Sequence, residues 1–241
     1  MNILIYADEG VSTFSLQETL ATFKALIPQA TIEPITHEWV AKGKWQEHTT
    51  LFIMPGGRDI PYDRRLKGRG VENLKQFVHE GGKFLGICAG AYFAAKEVIF
   101  EKGTKLEVHE TRDLHFFPGS AIGTLFQFRP FDYGSESGAH APLIKLQDET
   151  LPFYYNGGCY FAEAHDHPVK VIGTYADHDN KAAIISCEVG KGKALLSGVH
   201  FEVRPSALFK ENTPPEVCFP LAESEKRRQN FLQTILKELN F

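Results

Sequence analysis

The sequence predicts an α/β fold in one domain, residues 1–241: a parallel sheet covered by helices on both faces. Three observations carry this. Strand and helix signals alternate through roughly the first hundred residues. The strands read as short, continuous apolar runs, as strands buried on both faces do. Glycine or proline stops several of them. A chain of 241 residues is also long enough to bury a substantial core.

Each element has its own warrant. "NILIYA" (2–7) is a β-rich run. Leu16, Leu20, Phe23 and Ile27 recur at helical spacing, and Ser15 with Glu18 reads as a capping box in that helix's first turn. "TIEPIT" (31–36) is the second strand, and "TLFIMPGG" (50–57) the third, stopped by Pro-Gly-Gly. Residues 70–80 form a helix closed by Gly81-Gly82. "KFLGI" (83–87) is the next strand, with "AGAYFAAKEV" (89–98) as the helix after it. From about 98 to 165 the chain is rich in Gly, Phe and Tyr and poor in helix signals, which predicts an inserted β-rich section. "KAAIISCEV" (181–189) and "KALLSGVH" (193–200) are strands joined by a "GKG" turn. Leu232, Ile235, Leu236 and Leu239 share one face of a C-terminal helix.

Composition narrows the function classes. The chain is 43% hydrophobic and 23% charged, with a formal net charge of −4. Its one tight basic cluster, "EKRR" (225–228), reads as a solvated helix face, so no nucleic-acid partner is expected. The opening "MNILIYADEG" lacks a basic start, and no run approaches the roughly 20 apolar residues of a membrane span. Cys88, Cys159, Cys187 and Cys218 form no C-x-x-C pair, so reduced thiols in the cytoplasm are expected. "AEAHDHP" (162–168) brings His165 near His167, but further ligands are missing, and a polar loop is the expectation. No metal or organic cofactor is expected.

The chemistry begins at "GICAG" (86–90). A G-x-C-x-G between strand and helix is the cysteine form of a nucleophile elbow, in which small neighbours permit a sharp turn that leaves the nucleophile exposed. Cys88 would open the following helix, whose dipole favours a thiolate. A thiol gains from a base held by a third group. In "SGVHFE" (197–202), His200 ends an apolar strand, and Glu202, two residues on, points the same way. Glu202 can orient the ring while its other nitrogen faces Cys88. "MPGG" (54–57) ends a strand at the same sheet edge, so the amides of Gly56 and Gly57, with that of Ala89, are candidates to hold an oxyanion. A buried structural cysteine and a plain strand-ending turn are the alternatives.

Other residues are candidate substrate contacts. Arg58, Asp59 and Tyr62 follow the glycine turn, although an Asp–Arg pair fixing the loop explains the first two equally. Tyr92, one helical turn after Cys88, either walls the pocket or belongs to the core. Arg112 is placed to clamp a carboxylate or to form a structural salt bridge. Asn156, in "YYNGG", sits in a turn that calls for positive φ, and its amide is a candidate to face the cleft.

The order Cys88, then His200-x-Glu202, after a Gly-Gly turn resembles the flavodoxin-like class I glutamine amidotransferase superfamily. Phe201 stands where that superfamily usually has proline. "PGGRDIPY" (55–62), "GGKFLGICAGAYFA" (81–94), "RDLHFFPG" (112–119), "YGSESGA" (133–139), "YYNGG" (154–158) and "GKGKALLSGVHFE" (190–202) together resemble the amidotransferase-like N-terminal domain of eukaryotic biotin–protein ligases, a domain that free-standing bacterial proteins share. No G-R-G-R-x-G-R segment is present, and "KGRG" (67–70) is too short, so biotin ligation is not expected. The resemblance implies a cysteine-dependent hydrolase or amidotransferase acting on a small amide-type substrate. A free-standing amidotransferase would need a partner enzyme or subunit to receive ammonia. Two other readings compete. One is a binding module on the same fold. The other is the DJ-1-like superfamily, which would bring a first-strand glutamate such as Glu9 against Cys88.

Overall fold

The computed structural model describes residues 1–126, 131–211 and 213–241; residues 127–130, which lie within the predicted β-rich section, and residue 212 fall outside that description. The first half runs Asn2–Tyr6 (β1), Thr13–Leu26 (α1), Thr31–Ile35 (β2), His37–Lys42 (α2), Leu51–Met54 (β3), Asp59–Leu66 (α3), Arg69–His79 (α4), Lys83–Ile87 (β4) and Ala89–Ala94 (α5). Short strands follow: Ala95–Phe100 (β5), Val108–Thr111 (β6), Phe117–Gly123 (β7), Ala139–His140 (β8), Leu143–Lys145 (β9), Thr150–Pro152 (β10), Tyr155–Asn156 (β11) and Tyr160–Phe161 (β12). The chain closes with Val169–Tyr175 (β13), Ala182–Val189 (β14), Gly192–Ser197 (β15), Pro205–Leu208 (α6), Pro215–Glu223 (α7) and Glu225–Glu238 (α8).

Strands β2, β1, β3, β4 and β15 lie side by side and parallel, an order of the flavodoxin-like kind. Strand β14 pairs antiparallel with β15 through the predicted hairpin, and the sheet continues through β12, β7, β5 and β6. Alternate residues of the parallel strands enter opposite cores, as a two-residue period requires. Leu4, Tyr6, Phe52, Met54 and Phe84 pack with Tyr62 of α3, Leu74 and Phe77 of α4, and Phe93 of α5. Ile3, Ile5, Leu51, Ile53 and Leu85 pack on the other face with Phe23 of α1 and Leu232 and Ile235 of α8. The expected α/β sandwich is therefore the fold observed.

Three local expectations are corrected. Ser12, rather than Ser15, caps α1, its hydroxyl accepting from the Ser15 amide at 3.4 Å. Ser15 instead accepts the Gly56 amide at 2.9 Å, and Glu18 holds Arg204 through bonds of 2.7 and 2.8 Å. The helix after Cys88 stops at Ala94, because the residues that follow run out as β5 between β6 and β7. Valine, isoleucine and phenylalanine favour that pleated setting. Finally, Arg228 of the basic cluster is buried and donates to the Val203 carbonyl at 2.6 Å, so α8 is not solvated there. Among the described residues no helix is long and apolar enough to cross a membrane.

Candidate active site

Three strand ends meet at the carboxyl edge of the parallel sheet, where ligand sites of open α/β sheets form. Cys88 follows β4, Gly56 and Gly57 follow β3, and His200 lies just beyond β15. Cys88 has φ 51° and ψ −107°, a positive-φ elbow tied to β15 by its N–H, which donates to the Ser197 carbonyl at 2.8 Å. The small neighbours are required by close approach: a Cβ at Gly90 would lie 2.1 Å from the Met54 carbonyl oxygen. With α5 only six residues long, its dipole contributes modestly at Cys88.

His200 departs from the predicted strand. β15 ends at Ser197, and His200 is held by a single bridge to Tyr154, its amide donating to the Tyr154 carbonyl at 2.7 Å. Its Nδ1 lies 2.7 Å from Glu202 Oε1, and the ring shares one cavity lining with Cys88, close enough for the sulfur to bear on its charge. Both His200 and Glu202 are buried. Burial disfavours the imidazolium, but the Glu202 carboxylate and the Cys88 sulfur outweigh it and push the His200 pKa up to about 10. Phe201, in the place of the usual proline, packs into the core against Phe231.

The glycine turn divides its amides. The Gly56 N–H is taken by Ser15 Oγ, which removes Gly56 from the predicted oxyanion donors. The Gly57 and Ala89 amides have no acceptor among the described residues. Both residues line, with Cys88, a water-sized cavity of about 20 Å³. Gly57 has φ 150°, and a Cβ there would sit 2.0 Å from the Gly10 carbonyl oxygen. Tyr62, expected at the cleft, is wholly buried instead; its hydroxyl lies 3.2 Å from both the Pro55 and Gly56 carbonyls and fixes the turn from behind.

The remaining candidates separate in the same way. Arg112 is buried and donates through Nε to Asp59 at 2.8 Å, through Nη1 to Glu110 at 2.9 Å and to the Thr111 carbonyl at 3.0 Å. Arg112 and Asp59 therefore hold each other, and Arg112 is committed to structure rather than to a substrate carboxylate. Burial raises the Asp59 pKa against the opposing pull of Arg112. Arg58 is exposed, with its guanidinium 4.5 Å over the Tyr133 ring. Tyr92 lines the small cavity and donates to the Gly158 carbonyl at 2.9 Å. The Asn156 carbonyl lies 3.9 Å from Cys88 Sγ, and its side-chain amide donates to the Ser135 carbonyl at 3.0 Å. Glu9 is bonded to Arg65 at 2.7 Å. Among the described residues no cluster of His, Cys, Asp or Glu is placed to hold a metal.

A larger cavity of about 550 Å³ opens over Cys88 and His200 and is lined by Arg58, Tyr133, Glu136, Tyr154 and Asn156 among others. Glu136 and Tyr154 were not legible as site residues, although both lie in segments the resemblance singles out, "YGSESGA" and "YYNGG".

A family model described as "Biotin-protein ligase, N terminal" matches residues 1–241, and the chain belongs to that family. It is 35% identical to an uncharacterized protein of Chlamydia muridarum (strain MoPn / Nigg), over 98% of this chain and 94% of that one. It is also 35% identical to a biotin–protein ligase of Schizosaccharomyces pombe, over 99% of this chain and 38% of the ligase. Among solved structures, a glutamine amidotransferase from Thermotoga maritima superposes with a TM-score of 0.60 at 12% identity, covering 100% of this chain and 99% of that one. The fold is thus of the class I glutamine amidotransferase-like kind.

Proposed function

We propose that this member of the biotin–protein ligase N-terminal family is a cysteine-dependent hydrolase or amidotransferase acting on an amide-type bond. Cys88 Sγ attacks the carbonyl carbon after its proton passes to His200. The carbonyl oxygen, now negative, is received by the Gly57 and Ala89 amides. Collapse breaks the C–N bond, and His200 delivers the proton to the departing amine. Water, deprotonated by His200, then cleaves the thioester to a carboxylic acid and restores the thiol. Glu202 keeps the ring oriented throughout. The amine's fate separates the two activities: a hydrolase releases it, and an amidotransferase passes ammonia to a partner subunit. Biotin ligation is no part of the proposal, because the chain spans 38% of the ligase it matches.

The observation that carries this reading is the buried 2.7 Å Glu202–His200 pair lining one cavity with Cys88, with the Gly57 and Ala89 amides, unclaimed among the described residues, beside the same cysteine. Its test pairs wild type with Cys88→Ala. Iodoacetamide should label Cys88 much faster than a free thiol, and a panel of primary amides should release ammonia with wild type alone. Labelling at the free-thiol rate, with no turnover on any amide, would refute it. A second reading, a binding module, is favoured by the roofing of Cys88, which is 5% exposed beneath the Asn156 carbonyl. Ligand-induced thermal shifts without turnover would mark that outcome.

A further inference from the structure

We propose that the cleft over Cys88 selects amides that carry an ammonium group and no carboxylate, with Glu136 as the residue that reads the charge. The proposal takes its amide from the reading above, but its recognition chemistry stands independently of turnover.

Glu136 lines the 550 Å³ cavity and has no cation within ion-pairing distance among the described residues. Its carboxylate is held by two neutral hydroxyls, Tyr154 at 3.0 and 3.2 Å and Thr213 at 2.8 Å. Tyr154 and Thr213 are themselves buried, so the carboxylate is fixed in place, and no described residue compensates its charge. An ionised carboxylate offers about four lone-pair sites, so acceptor capacity remains for a ligand. The Tyr154 ring lies 5.6 Å from the His200 ring, which puts Glu136 one side chain away from the imidazole.

A second acceptor stands in the same wall. Asn156 Oδ1 is buried without a donor, while its Nδ2 is anchored on the Ser135 carbonyl. A group rich in N–H donors suits the acceptors of this wall, Glu136 first among them; a carboxylate brings them no donor. The rest of the described lining agrees in sign. Asp132 and Glu211 also lack an ion-pair partner, and Glu9 is neutralised by Arg65. Against them stand Arg58, exposed and lying flat on Tyr133, and the His200 imidazolium, which the Glu202 carboxylate balances. A half-buried carboxylate acts through a lower dielectric than an exposed guanidinium, so the cleft's field favours cations.

The test uses three amides on the same three-carbon chain: 4-aminobutanamide (cationic), butanamide (neutral) and glutaramate (anionic). Affinities are measured by calorimetry or NMR on the full chain carrying Cys88→Ala, which removes turnover from the comparison. The cationic amide should bind about tenfold or more tighter than butanamide, the scale of one charge-assisted hydrogen bond, with glutaramate weakest. Glu136→Gln, which keeps an acceptor for Tyr154, should bring the cationic-to-neutral ratio close to one. Equal affinities for the three amides, or a preference for glutaramate, would overturn the proposal without any variant at Glu136. A ratio unchanged in folded Glu136→Gln would overturn the role assigned to that residue. A cation preference in Cys88→Ala, beside an inert Cys88 in wild type, would sink the amide-cleavage reading and leave this one standing.

Discussion

Replacing Glu202 with glutamine removes one charge and little volume, and it isolates what the carboxylate does for His200. The two groups are 2.7 Å apart at their closest atoms and buried. Charge centres about 4 Å apart attract by about 4 kcal/mol at an effective dielectric of 20. That corresponds to about three pKa units. The His200 pKa, held up to about 10 in wild type, should therefore fall in Glu202→Gln to around neutrality or below, since burial continues to oppose the charged ring. The assay has two arms. NMR follows the His200 ring from pH 5 to 11, and iodoacetamide labelling follows Cys88 over the same range. Losing the imidazolium should slow alkylation near pH 7 by about tenfold or more. A His200 titration that moves by less than about half a unit would refute the coupling, because no dielectric suited to a buried site gives so small a change.

Three more outcomes are expected. Because the folded-state pKa of His200 is raised, its contribution to stability is complete below the unfolded value near 6.5 and is lost as pH climbs toward about 10; urea unfolding of wild type should weaken over that window, and Glu202→Gln should flatten the decline. Arg112→Met leaves Asp59 buried without its cation and should cost about 3–5 kcal/mol by urea unfolding, less in acid where Asp59 protonates; an unchanged midpoint would free Arg112 for another role. Gly57→Ala forces a side chain onto φ 150° and the Gly10 carbonyl, costing at least about 1–3 kcal/mol from the backbone alone and displacing the adjacent amide, so both the thermal midpoint and the rate of Cys88 labelling should drop; an unaltered labelling rate would remove Gly57 from the oxyanion role.

Local signals carried much of the fold. Strand β4 and the hairpin β14–β15 were readable because apolar runs end at glycines, and α8 because Leu232, Ile235 and Leu236 repeat at helical spacing. Cys88, His200 and Glu202 were readable for the same reason, each lying close to a strand end. Partnerships across long sequence separations stayed hidden. Ser15 looked like a cap because nothing nearby announces that Gly56, 41 residues away, claims its hydroxyl. Arg112 and Asp59 are 53 residues apart, and only the folded sheet shows that each answers the other. Helix α5 was overextended because Ala-rich sequence favours a helix, whereas pairing with β6 and β7 draws Ala95–Phe100 into a strand.

Ile87 pairs with Ser197 on neighbouring parallel strands, and the next amide, that of Cys88, bonds back to the same Ser197. The elbow is thereby tied to a rung of the ladder, and His200 follows three residues beyond it, held by its bridge to Tyr154, while Arg58, Tyr133 and Glu136 reach the cavity from turns and irregular segments. The two parts answer to different constraints. Drift in those outer segments can change which molecules enter while the inner spacing stays put, and a descendant that lost its thiol would keep an intact receptacle.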